Sequence, residues 1–117
     1  MLQLRLALPP MSKPRPRFQN GHAFMPANYR QWKDAAITQF RTQYQGEPIA
    51  KILCLRIHLY GTVARGDCDN LAGSVMDALV QAEVLVNDHV AVIPRLEVDW
   101  SRDPASEGYI EVELVSA

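Results

Sequence analysis

Lysine is missing from the whole of residues 52–117, and the chain has only three: Lys13, Lys33 and Lys51. Cysteine is nearly as scarce. Cys54 and Cys68 are too few and too irregularly placed for a disulfide framework. Together with His58 and His89 they show no recognisable zinc-ligand spacing, so they read as a small core thiol, a thiol in a polar turn and surface imidazoles. Any metal should therefore be bound through oxygen. No apolar run approaches the roughly 20 residues needed to cross a bilayer. The opening "MLQLRLALPP" alternates and then meets two prolines instead of building the apolar centre of a signal peptide. A cytoplasmic address with no membrane partner is expected. There is no internal repeat and no low-complexity tract. With 48% apolar and 21% charged residues, neither disorder nor a fibrous repeat is indicated. The 117 residues suit one domain, 1–117, with a real but limited core, so dimerisation would help to bury what remains.

The net charge of −1 conceals a division along the chain. Residues 1–51 carry eight Lys/Arg (Arg5, Lys13, Arg15, Arg17, Arg30, Lys33, Arg41, Lys51) against two acids, Asp34 and Glu47, a net of +6. Residues 52–117 carry four Lys/Arg against eleven acids, a net of −7. One surface that attracts a polyanion and another that gathers cations is the arrangement a metal-dependent enzyme acting on nucleic acid needs.

"LQLRLALP" alternates Leu2, Leu4, Leu6 and Leu8 with other residues, the period of a half-buried strand, and ends at Pro9-Pro10. "MSKPRPRFQNGHAFMP" reads as an extended basic loop, with a hairpin signal at Asn20-Gly21. From about Pro26, Tyr29, Trp32, Ala36, Ile37, Phe40 and Tyr44 recur at helical steps, and Tyr29 and Trp32 are read as core. "AKILCLRIHLYG" is the clearest strand, with Leu53, Leu55, Ile57 and Leu59 on one face. A second helix is expected from about Asp69 to Glu83, burying Leu71, Val75, Leu79 and Ala82, with Asp69 or Asn70 as its cap. "VAVIPRLEVDW" reads as a third strand whose internal Pro94 marks an edge or bulge, and "YIEVELVSA" as the last. The order is β-loop-α-β-α-β-β. Two helices on one mixed sheet of about four strands, an α+β fold, is the economical way to hide one apolar face per element.

"RGDCDNLAGSVMDAL" places Asp67 and Asp69 one residue apart at the mouth of the second helix. Asp88 follows the far end of that helix. Like charges this close are unfavourable unless a cation lies between them or water screens them. If the strand-helix-strand return brings the three aspartates to one side, they match the demand of Mg²⁺ for a few carboxylates plus water and phosphate oxygens. The plainer alternative is a loop residue, Asp67, and a dipole-favoured cap, Asp69. Asp77, eight residues after Asp69, is either a group supporting the ligands or a solvated surface acid. His58 and His89 read as surface or half-buried residues rather than catalysts.

"DCDNLAGSVMDAL" followed by "VNDHV" resembles the D-x-D-N-L…D-A-L…(D/N)-D pattern of RusA-type endodeoxyribonucleases, the Holliday-junction resolvases of phages and prophages. Upstream, "SKPRPRFQNGHAFMPANYRQW" is similar to the proline- and arginine-rich loop and helix entry of many members. The resemblance implies a homodimer that binds four-way or branched DNA in recombination and repair and makes paired nicks with Mg²⁺, for which Mn²⁺ can substitute. It makes Asp67, Asp69 and Asp88 the catalytic and metal-binding carboxylates, with Asn70 matching the amide that follows them. Lys13, Arg15 and Arg17, then Arg30, Lys33 and Arg65, are the expected phosphate contacts. The family usually carries a lysine early in the acidic helix, where this chain has Gly73. Three readings stay open: Arg65 or a loop cation such as Lys13 substitutes, turnover is slow, or the protein binds junctions without cutting. A small Mg²⁺ phosphohydrolase acting on nucleotides is a further rival, one that would not need the basic loop.

Overall fold

A computed structural model describes residues 1–116. Its elements are β1 (Leu2–Leu6), β2 (Arg17–Gln19), β3 (His22–Phe24), α1 (Ala27–Gln43), β4 (Cys54–Gly61), α2 (Cys68–Gln81), β5 (Leu96–Arg102) and β6 (Tyr109–Val115). Four strands form one mixed sheet in the order β1-β6-β4-β5, and β2 pairs only with β3. β4 and β5 run parallel, joined by α2, while β6 is antiparallel to both β1 and β4. This is the expected α+β arrangement, with the Asn20-Gly21 signal realised as a small hairpin. Asn20 and Gly21 both take positive φ, 53° and 78°, as a two-residue hairpin turn requires.

Alternation in β4 settles which face of the sheet is covered. Leu55, Ile57 and Leu59 are fully buried under the helices, while Arg56, His58 and Tyr60 lie on the other face. α1 meets the sheet through Trp32, Ala36 and Phe40, and α2 through Leu71, Val75, Ala78 and Leu79, each set at helical spacing. Burying large side chains of this kind contributes about 1.5–3 kcal/mol each. The outer edge of β1 is closed by side chains of α1. The Gln43 amide accepts from Arg5 N–H at 2.8 Å and donates to Arg5 C=O at 2.6 Å, and Gln39 accepts from Ala7 N–H at 2.7 Å. An edge so occupied is a poor template for stray strand pairing.

Several boundaries differ from the sequence reading. The third strand begins at Leu96, not Val90, and runs on to Arg102. Pro94 has no N–H for a ladder, and the segment before it folds into a turn in which His89 C=O accepts from both Val92 and Ile93 N–H. Val92 and Ile93 are buried there, so their apolar character belongs to the core without belonging to a strand. α2 runs from Cys68 to Gln81 with Asp67 as its N-cap residue, two residues before Asp69 and three before Asn70, the caps expected from the sequence. Leu53 lies before β4 and is 52% exposed, outside the core-facing row. The last strand ends at Val115, and the expected final residue Ala117 lies outside the described residues.

Candidate metal centre and nucleic-acid surface

α2 begins where the chain turns back from the C-terminal end of β4. Gly66 makes that turn with φ of +85°, a left-handed backbone that favours glycine, and a Cβ there would also displace the Ser12 hydroxyl. Asp67 C=O accepts from Leu71 N–H at 3.0 Å, opening the helix, while its carboxylate makes no capping bond. Among the described residues the Asp69 carboxylate, in the first turn, accepts only from the neighbouring Asn70 N–H, at 2.9 Å. Asp67, Asp69 and Asn70 are all exposed. Among the described residues neither aspartate pairs with a Lys or Arg. The helix N-terminus favours their negative charge, and their oxygens remain open to a ligand.

Asp88 stands elsewhere. It follows the far end of α2, whose 14 residues span about 21 Å. The Asn87 side chain accepts from Asp88 and His89 N–H, at 2.7 and 3.1 Å, in a turn fastened to the entry of β4 by Ile52 N–H donating to Val92 C=O at 3.0 Å. Asp67 and Asp69 therefore sit at one end of the sheet and Asp88 at the other. The conditional convergence of all three carboxylates does not occur within one chain, because a crossover helix carries the chain away from where it began. Among the described residues no three His, Cys, Asp or Glu side chains are grouped to hold a metal ion. Asp67 and Asp69 by themselves fit a Mg²⁺ that keeps most of its water, whereas a three-carboxylate set in one copy does not.

Asp77 is neither loose nor simply solvated. Lys13 Nζ lies 2.8 Å from its Oδ2, and the buried Tyr29 hydroxyl donates to the same oxygen at 3.4 Å. Burial pushes the Tyr29 phenol up to about 12, with the Asp77 charge and hydrogen bond adding to it, so the ring stays a neutral donor. Lys33 Nζ lies 5.5 Å above the Tyr29 ring, half-buried. The segment bearing Lys13 is fastened across α2: Ser74 Oγ donates to Met11 C=O at 2.6 Å and Lys13 N–H donates to Asn70 C=O at 3.3 Å. Nothing local in the sequence announces this cluster, since Asp77 lies 48 positions from Tyr29 and 64 from Lys13.

Arg15, Arg17 and Arg30 are exposed, the first two on or beside the β2-β3 hairpin. Phe18 on that hairpin is 77% exposed, an unusual place for a large apolar ring. Arg65 is exposed next to the start of α2 and lines a cleft of about 330 Å³ with Pro9, Pro10, Gly61, Trp100 and Glu107. On the open face of the sheet, His58 contacts Asp99 at 2.9 Å and Glu113 at 3.1 Å, and Arg56 contacts Glu97 at 2.9 Å. Those partners require the register His58↔Asp99 and Arg56↔Glu97, which alternation alone cannot supply.

No helix among the described residues is long and apolar enough to cross a membrane. None of the curated proteins matches the chain. The family model described as endodeoxyribonuclease RusA matches residues 7–114, from the end of the first strand to the end of the last. With nearly all of its elements inside that match, the chain belongs to the RusA endodeoxyribonuclease family, whose members are junction-resolving endonucleases.

Proposed function

We propose that the protein is a Mg²⁺-dependent, structure-selective endonuclease that resolves four-way DNA junctions by paired nicks as a homodimer. One observation carries this reading: two exposed aspartates, the N-cap Asp67 and Asp69 in the first turn, open α2, and among the described residues neither pairs with a Lys or Arg. Such a pair is relieved by a divalent ion, and one or two carboxylates are what Mg²⁺ takes from protein when it also binds phosphate oxygens. A Mg²⁺ bound there supplies Lewis acidity toward the phosphodiester and lowers the pKa of water. Asp67 and Asp69 hold the ion, and Asn70 follows them on the exposed side of the same turn.

The span of α2 supports a site drawn from two copies, Asp67 and Asp69 of one with Asp88 of the other. This reading gives the dimer a chemical purpose beyond burying surface. Arg15, Arg17 and Arg30, with Arg65 beside the aspartates, contact phosphates and leave base identity unread. The exposed Phe18 ring offers a stacking platform to a base freed at a branch point. A catalytically weak or inactive junction binder is the second reading, favoured by glycine at position 73.

Incubating the protein with a labelled four-way junction separates the two. Paired nicks that require Mg²⁺ or Mn²⁺ and disappear in Asp69→Asn, with the gel shift retained, support the enzyme. A shift with no products under any metal supports the binder. A hydrolase of free nucleotides would leave the junction intact and keep its activity when Arg15 and Arg17 are neutralised.

A further inference from the structure

α2 carries no Lys or Arg of its own, and its sequence from Cys68 to Gln81 holds two acids, Asp69 and Asp77. Asp69, Gly73 and Asp77 follow at steps of four and so lie along one ridge of the helix. Lys13 lies along this ridge from the other end of the chain. Its backbone N–H is held on Asn70 C=O, its stem passes Gly73 and its ammonium rests on Asp77. A Cβ at Gly73 would meet only Lys13 Cδ, at 3.9 Å, an ordinary contact. The lysine stem therefore passes over Gly73 with room for a Cβ to spare, so packing does not demand a residue that weakens a helix interior by about 1 kcal/mol relative to Ala.

We infer that Lys13 supplies, from the N-terminal loop, the cation that the acidic helix lacks, and that Asp77 is its resting place between turnovers. The inference rests on the nuclease reading above. The root of Lys13 is at the first turn of α2, beside Asp69 and Asn70, while its side chain is 40% exposed and its ammonium is held by a single carboxylate. Rotation about the flexible stem carries the ammonium from Asp77 toward the end of the helix where Asp67 and Asp69 lie. A scissile phosphate brought there adds negative charge, and a lysine near it stabilises the charge that develops in the transition state. The two hydrogen bonds that fasten residues 11–13 across α2 keep the root in place during this movement.

The test compares wild type, Lys13→Met, Lys13→Arg and the double variant Lys13→Met/Gly73→Lys. Methionine keeps an apolar stem over Gly73 while removing the charge, and the thermal midpoint reports the cost of unpairing Asp77. Three quantities are measured: single-turnover nicking of a four-way junction in Mg²⁺, junction affinity in Ca²⁺, and the thermal midpoint. Lys13→Met is expected to slow nicking about 100-fold, with affinity changed less than about threefold, the loss of roughly one phosphate contact. Lys13→Arg should recover part of the rate. Lys13→Met/Gly73→Lys should recover most of it, because a lysine on the helix then reaches the same place. Wild-type nicking that Lys13→Met leaves unchanged, or a double variant as slow as the single one, overturns the inference and leaves the nuclease reading standing. Wild type that binds the junction but never nicks it overturns both.

Discussion

Ser74 Oγ donates a 2.6 Å hydrogen bond to Met11 C=O, tying the loop after β1 to the middle of α2 from a position with no solvent exposure. The same hydroxyl lies 2.8 Å from Leu71 C=O within its own helix, so the contact to Met11 is the one that adds tertiary information. Ser74→Ala leaves the Met11 carbonyl short of a donor in a half-buried place and should lower stability by about 1–2 kcal/mol. Urea unfolding measures the shift. Because the bond also positions Lys13, nicking should fall more than stability alone explains.

His58 has a carboxylate at each ring nitrogen, an environment in which only the doubly protonated imidazolium donates on both sides. Its pKa is raised, first by the hydrogen bond to Asp99, against the opposing effect of desolvation, with the Asp99 charge and Glu113 adding to the rise. A histidine titrates near 6.5 when unfolded. A raised folded value means that His58 stabilises the fold fully below that pH and loses the contribution as pH climbs through the folded pKa. Urea midpoints taken from pH 5.5 to 8.5 should fall across that window in wild type. In His58→Gln the decline should flatten, and an unchanged slope would mean that another group is responsible.

Arg15 and Arg17 are exposed on the hairpin arm, and neither forms an ion pair among the described residues. If both meet phosphates, replacing them with Gln lowers the slope of log affinity against log salt by about 0.9 each. The reduction should be the same for junctions of any sequence, because phosphate contacts carry no base information. Gel shifts at several salt concentrations check this, and a loss that depends on junction sequence would point to base contacts instead.

Much of the fold was legible because it follows from local periodicity. Tyr29, Trp32, Ala36 and Phe40 repeat at helical steps and are buried as that pattern demands, and Leu55, Ile57 and Leu59 alternate into the core. Asn20-Gly21 named its own turn. Periodicity failed at "VAVIP" because burial there comes from a turn packed on the core, and an apolar run does not say which backbone carries it. At the candidate site the sequence supplied residue types and spacing but not geometry. Asp67 and Asp69 are neighbours by sequence, so their proximity was assured. Asp88 depended on how a crossover helix returns, and its length sets the third aspartate apart. The Lys13–Asp77 pair joins opposite halves of the chain and carries no local signal at all.

Mixing two inactive variants gives the most direct measurement. If Mg²⁺ is held by Asp67 and Asp69 of one copy and Asp88 of another, Asp69→Asn and Asp88→Asn each bind a four-way junction without nicking it. Co-expressed, half of the dimers then contain one of each and regain one intact site in two, about a quarter of the wild-type sites in a two-fold assembly. The account predicts that such a mixture nicks the junction in Mg²⁺, one strand at a time rather than in pairs. A mixture as inert as either variant alone, or an Asp88→Asn protein that nicks at the wild-type rate, would contradict it.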